Sequence, residues 1–88
     1  MELKKIAEDG NRLKIRIKGE GHTFCNLLRR ELWNTGKVKT VGYYIEHPQV
    51  GDPEFTLDAQ AEPKKLFATA AKEAKQKIEA LKKQIEKL

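Results

Sequence analysis

Gly19-Glu20-Gly21-His22-Thr23-Phe24-Cys25-Asn26-Leu27-Leu28-Arg29-Arg30-Glu31-Leu32-Trp33 is the stretch on which the fold of this chain turns. Gly19 and Gly21 break any strand that precedes them, and Thr23 is a preferred N-cap residue whose hydroxyl can accept an orphan backbone N–H. Phe24, Leu27, Leu28 and Leu32 recur at three- and four-residue spacing, which draws one apolar stripe along a helix. Gly36 supplies a stop, since glycine takes the left-handed conformation that ends many helices. The stretch predicts a short amphipathic helix.

On its N-terminal side, Arg12 to Lys18 alternates, with Leu13, Ile15 and Ile17 on one face and basic residues on the other. That period of two suits a strand buried on one side only. Asp9-Gly10 signals a hairpin turn, so Met1 to Ile6 is expected as the partner strand, with Leu3 and Ile6 its apolar members. On the C-terminal side, Val38 to Glu46 predicts a third strand with Val41, Tyr43 and Ile45 sharing a face. His47-Pro48 ends it and Gly51-Asp52-Pro53 turns the chain. Glu54 to Ala61 then returns as a fourth strand with Phe55, Leu57, Ala59 and Ala61 inward. Pro63 fits the first turn of a helix, and from there to Leu88 nothing breaks a run of helix-forming residues. The expected fold is α+β: a small four-stranded antiparallel sheet with two helices on one face, in the order β-β-α-β-β-α. Its length, 88 residues, makes one domain over 1–88.

The last helix is too long for such a body. About 25 residues span ~37 Å, whereas the strands beneath should measure roughly 20 Å. Phe67, Ala71, Ala74, Ile78, Leu81, Ile85 and Leu88 are spaced alternately four and three apart, an unbroken heptad seam. Its alanines let the helix sit close on the domain, and its large members fall where the domain has run out. An apolar seam left in water marks an interface. The flanking residues are Lys75, Lys77, Lys82 and Gln84. Two copies of the chain would set lysine against lysine, at a few tenths of a kcal/mol per exposed clash, which favours a different partner over a homodimeric coiled coil.

Composition excludes more than it assigns. The chain is basic, with a net charge of +5 and a pI near 9.4, which allows a nucleic-acid-binding domain using the Arg12–Lys18 and Lys64–Lys87 faces as the alternative. Interleaving of the late lysines with Glu73, Glu79 and Glu86 points instead to the solvated face of a long helix. A single cysteine gives no disulfide framework and no metal cluster. No signal peptide opens the chain, and no apolar run approaches the ~18 residues of a membrane span. A cytoplasmic protein is expected. His22 and Cys25 stand three apart at a helix start, where a thiol can be activated, but an orienting residue, an oxyanion pocket and further metal ligands are missing. Cys25 reads as a small packed residue and His22 as a hydrogen-bonded one. Glycine loops that cradle phosphates are absent, and no cofactor is expected. Trp33 fits either core or interface, while Tyr43 and Phe55 fall on the apolar face.

His22-Thr23-x-x-Asn26-x-Leu28-Arg29, preceded by Gly19-Glu20-Gly21, resembles the alpha motif of the small alpha-like subunits of archaeal RNA polymerase, the subunit L family, and of their eukaryotic equivalents. Gly42-Tyr43-Tyr44-Ile45-Glu46-His47-Pro48 resembles that family's second signature. The likeness covers nearly the whole chain, with departures at Phe24-Cys25 and in a short turn at Gly51 to Glu54. It implies a non-catalytic assembly role: pairing with the larger, D-type alpha-like subunit to form, with the small N-type and P-type subunits, the platform for the large catalytic subunits. Direct nucleic-acid contact and membrane contact are not implied. Carried onto this sequence, the partner surface comprises His22, Thr23, Phe24, Asn26, Leu27, Leu28, Arg29 and Leu32 of the first helix. Phe67, Ala71, Ala74, Ile78, Leu81, Ile85 and Leu88 complete it, with Arg30 at its edge.

Overall fold

The computed structural model describes residues 2–45 and 51–88. Its elements are β1 (Glu2–Asp9), β2 (Arg12–Lys18), α1 (His22–Asn34), β3 (Val38–Tyr44), β4 (Glu54–Ala59) and α2 (Pro63–Glu86), in the expected order. The strands form one antiparallel sheet in the spatial order β1-β2-β4-β3. Thus the chain lays down a hairpin, crosses by α1 to the far edge, and inserts β4 between the two. β2 and β4 are the inner strands, and they carry the floor of the core: Leu13, Ile15 and Ile17 with Phe55, Leu57 and Ala59 beside them. Both helices lie on that floor, adding Phe24, Cys25, Leu28 and Leu32 from α1 and Phe67, Ala70, Ala71 and Ala74 from α2.

An aromatic run ties the layers together. Tyr43 stacks parallel to Phe55 at 6.3 Å, and Phe55 meets Phe67 edge-on at 5.7 Å; such geometries add about 0.5–1.5 kcal/mol each beyond burial. On the opposite, wet face of the sheet the basic residues of β2 meet acids of β4. Arg12 pairs in register with Asp58, at 3.5 Å between charged atoms, and Arg16 lies opposite Glu54.

Several boundaries differ from expectation, each for a local reason. α1 begins at His22, with Gly21 rather than Thr23 as its N-cap. Gly19, at φ 83°, has already turned the chain, and the Gly21 carbonyl accepts the first helical bond from the Cys25 N–H at 3.2 Å. Thr23 is left exposed in the first turn. The end is as expected: Gly36 takes φ 71° and donates to the Trp33 carbonyl, while the Thr35 hydroxyl donates to the Leu32 carbonyl at 2.7 Å.

β1 runs on to Asp9, three residues past Ile6, because the hairpin closes on the two-residue loop Gly10-Asn11 rather than at Asp9-Gly10. Gly10 has the positive φ (59°) that the first loop position of a primed hairpin turn needs. Leu3 and Ile6 are exposed along with the rest of β1, since the strand lies at the sheet edge beyond both helices. β3 ends at Tyr44, with Ile45 half-buried after it; Glu46 and the His47-Pro48 stop lie outside the described residues. β4 ends at Ala59, and Ala61 is exposed rather than inward. There the Gln60 N–H bonds the Lys37 carbonyl, and Glu62, at φ 47°, swings the chain into α2.

Candidate interaction surface

α2 is one helix with two environments. Phe67, Ala71 and Ala74 are buried in the chain's own core, Ile78 is half-buried, and Leu81 (55 %), Ile85 (58 %) and Leu88 are exposed. The seam therefore runs out of the body past Ile78 and continues as a free arm. Ala70, absent from the expected seam, is buried as well; a helix lying on a sheet hides a wider stripe than the two positions of a coiled coil, and its spacing of three from Phe67 was the available signal.

The first helix divides in the same way. Phe24, Leu28 and Leu32 are fully buried beneath α2 and against the sheet, so their area is already used within the chain. His22, Thr23, Asn26 and Arg29 are exposed, and Leu27 is half-buried beside the arm. Thr23, Asn26, Leu27 and Arg30 of α1 meet Lys77, Ile78 and Leu81 of α2 around an open notch of about 340 Å³. This notch and the arm beyond it form one continuous surface. Of the expected partner residues, it gathers Thr23, Asn26, Leu27, Ile78 and Leu81 at the crossing and Ile85 and Leu88 outward. Phe24, Leu28, Leu32, Phe67, Ala71 and Ala74 support it from below. Lys77, expected as a flank of the seam, and Arg30, expected at the edge of the partner surface, also line the notch.

His22 has a different duty. Its Nδ1 lies 2.9 Å from the Tyr43 hydroxyl, tying the start of α1 to β3 and, through Tyr43, to the aromatic run. Arg29 Nη2 donates to Asn26 Oδ1 at 3.4 Å. A second depression, of about 540 Å³, adjoins the notch and is lined by Asn26, Arg29, Arg30, Trp33 and Val41. Trp33, open between core and interface from sequence, is 60 % exposed there.

Charge around the seam departs from the sequence reading. Lys75 Nζ donates to Glu20 Oε1 at 2.7 Å, and Lys77 Nζ pairs with Glu31. The hydrogen bond to the Glu20 carboxylate holds the Lys75 amine above its ordinary range. Lys82 and Gln84 remain as the flank a partner would meet, and Lys82 lies 3.9 Å from Glu79. The lysine-against-lysine clash that argued against self-pairing is thus weaker than the residue types imply.

Cys25 is fully buried, and its thiol is pushed up to about 11, first by desolvation and then by the charge of Glu20. That is the reverse of an activated thiol. Native protein at pH 8 should therefore leave Cys25 unmodified by a disulfide reagent over the time in which urea-unfolded chain reacts completely; stoichiometric labelling of the native state would contradict the burial. Among the described residues no group of three His, Cys, Asp or Glu side chains is placed to hold a metal ion, and no helix is long and apolar enough to cross a membrane.

The geometry agrees with what similar proteins are. The family described as the RNA polymerase Rpb3/Rpb11 dimerisation domain matches residues 12–84. Subunit Rpo11 of the DNA-directed RNA polymerase of Methanothermobacter thermautotrophicus is 36 % identical over 86 residues, covering 98 % of this chain and all of that one. The Thermococcus kodakarensis subunit Rpo11 is 35 % identical over 94 residues, covering 98 % of this chain and 100 % of its own. The crystal structure of DNA-directed RNA polymerase subunit L from Thermoplasma acidophilum superposes with a TM-score of 0.74 at 22 % identity, covering 98 % of this chain and 86 % of that one, which establishes the shared fold. With near-complete relatives at this identity and a family match from β2 into the free arm, this chain belongs to the RNA polymerase Rpb3/Rpb11 dimerisation domain family.

Proposed function

We propose that the chain is a non-catalytic assembly subunit of DNA-directed RNA polymerase, acting as a single dimerisation domain over residues 1–88 in the cytoplasm. Its partner is the larger, D-type alpha-like subunit, and the pair, with the small N-type and P-type subunits, carries the large catalytic subunits. Its work is geometric: apolar helix surface is buried on both sides, and the relative placement of two bodies is fixed. The observation that carries this reading is the abrupt exposure of a seam that is otherwise core. Leu81, Ile85 and Leu88 continue the spacing of Phe67, Ala71 and Ala74, and each is more than half exposed. A side chain such as leucine gains about 1.5–3 kcal/mol on full burial, so a complementary helix laid along the arm and into the notch has a clear driving force.

The test is the mass in solution, by sedimentation, of the purified chain alone and after co-expression with the larger alpha-like subunit. A stable one-to-one complex is the expected result. A tight homodimer indifferent to that subunit would overturn the assignment of partner.

The nucleic-acid alternative has less behind it than the net charge suggested. Arg12 is engaged by Asp58, Arg16 faces Glu54, and Lys75 and Lys77 are paired with α1-side carboxylates. Arg12, Lys75 and Lys77 are therefore cations of the two candidate faces that already have a carboxylate partner within the chain.

A further inference from the structure

Past Ala74 the arm is held to the body by the half-buried Ile78 and the edge of α1 at the notch. On the buried side of α2 just before it are Ala70, Ala71 and Ala74. Alanines allow close approach but offer no long side chain to lodge in a groove, so they resist tilting weakly. The lever beyond them is long. From Ala74 to Leu88 the helix rise gives ~21 Å, and a tilt of ~10° at the fulcrum would carry the tip about 4 Å sideways. That is enough to take the outer leucine out of a matching hollow.

Two ion pairs sit at this fulcrum, Lys75 with Glu20 and Lys77 with Glu31. The lysines are near neighbours on α2. The carboxylates are not: Glu20 precedes α1 and Glu31 lies in its third turn, on the order of 16 Å apart along the axis. One lysine therefore reaches toward the start of α1 and the other toward its far end, on either side of the crossing. Both carboxylates are well shielded, with 14 % and 11 % of their side chains exposed, against 32 % for Glu8 and 52 % for Glu79 in the other lysine pairs. Among the described residues the core encloses no charged group that would demand them, since its buried members are apolar.

We propose that Glu20 and Glu31 are positioning residues for the arm. They stay it from two directions, so that Leu81, Ile85 and Leu88 are presented at one angle, and they offset the charge of Lys75 and of Lys77, which lines the notch. The consequence for pairing rests on the reading of the arm as the partner surface; the staying of the arm does not.

The experiment is arranged to separate the two. Spin labels are placed on the full chain at Thr40→Cys, on β3, and at Lys83→Cys, on the arm, with the buried Cys25 left in place. Reversing both carboxylates (Glu20→Lys with Glu31→Lys) should broaden the distance distribution about twofold and weaken pairing with the larger alpha-like subunit about tenfold, the loss expected when a docking surface ceases to be preorganised. Exchanging the charges (the same two changes with Lys75→Glu and Lys77→Glu) should restore the narrow distribution and bring the affinity back to within about threefold. An unchanged distribution in the reversed variant, or no recovery of the narrow one in the exchanged variant, overturns the proposal whatever the partner does. Loss of pairing in Leu81→Asp, or its absence, bears only on the arm as partner surface.

Discussion

Leu81→Asp should abolish pairing with the larger alpha-like subunit while leaving the chain itself folded. In the free chain Leu81 is 55 % exposed, and a charged residue there meets water, so stability should change by no more than about 0.5 kcal/mol. In a complex the same carboxylate would be buried among Leu27, Ile78 and the partner's apolar side chains without a counter-ion. Such an orphaned charge costs about 3–5 kcal/mol, which at ~1.4 kcal/mol per decade is more than a hundredfold in dissociation constant. Calorimetric titration against the purified partner measures the loss, and a melting curve of the variant alone checks that the body is intact. Pairing at undiminished affinity would remove the arm from the interface.

The complementary change acts on the body and not on the surface. Phe55 is 1 % exposed near the start of β4, pressed between Tyr43 and Phe67 and opposite Ile15 on the neighbouring strand. Phe55→Ala leaves a cavity where sheet and helix meet, at about 3–5 kcal/mol. A domain of this size has only ~4–13 kcal/mol to lose. The urea midpoint should fall by about a quarter or more of its value with little change in slope. A loss below about 1 kcal/mol would mean that the aromatic run is not the structural centre.

These two residues show what was legible beforehand. Phe55 announced itself through alternation, because a strand's period of two admits a single inward set once one face is apolar. Leu81 announced itself through length: a heptad spacing that outlasts the sheet can only continue into solvent. The first helix was legible in extent and stripe, but not in its cap, which depended on how Gly19 and Gly21 bent the chain ahead of Thr23. β1 was legible as a strand and not as an edge. Nothing in Leu3 or Ile6 says which neighbours lie above them, and that is settled by where two helices end up, far along the chain. The ion pairs were the least accessible. Glu20 and Lys75 are 55 residues apart, and no local spacing signals that a lysine beside a seam has its counter-ion waiting on another element. With Glu20 and Glu31 beside them, Lys75 and Lys77 would add less to a clash between like copies than their residue types imply, while the exposed apolar seam is unaffected.

The exposed first strand has its own implication for how these molecules meet. A flat free edge would invite another strand and then another, growing without limit. Here the edge is interrupted by a bulge between Lys5 and Ala7, carries Lys4 and Lys5 across its middle, and is pinned by Glu8 to Lys5 and Lys64 at 3.3 Å each. Each device spoils the template that an incoming backbone would copy. With strand addition at β1 obstructed, the proposed contact on the helical side would engage one arm and one notch with one companion, and both would then be used up. Association on those terms is finite.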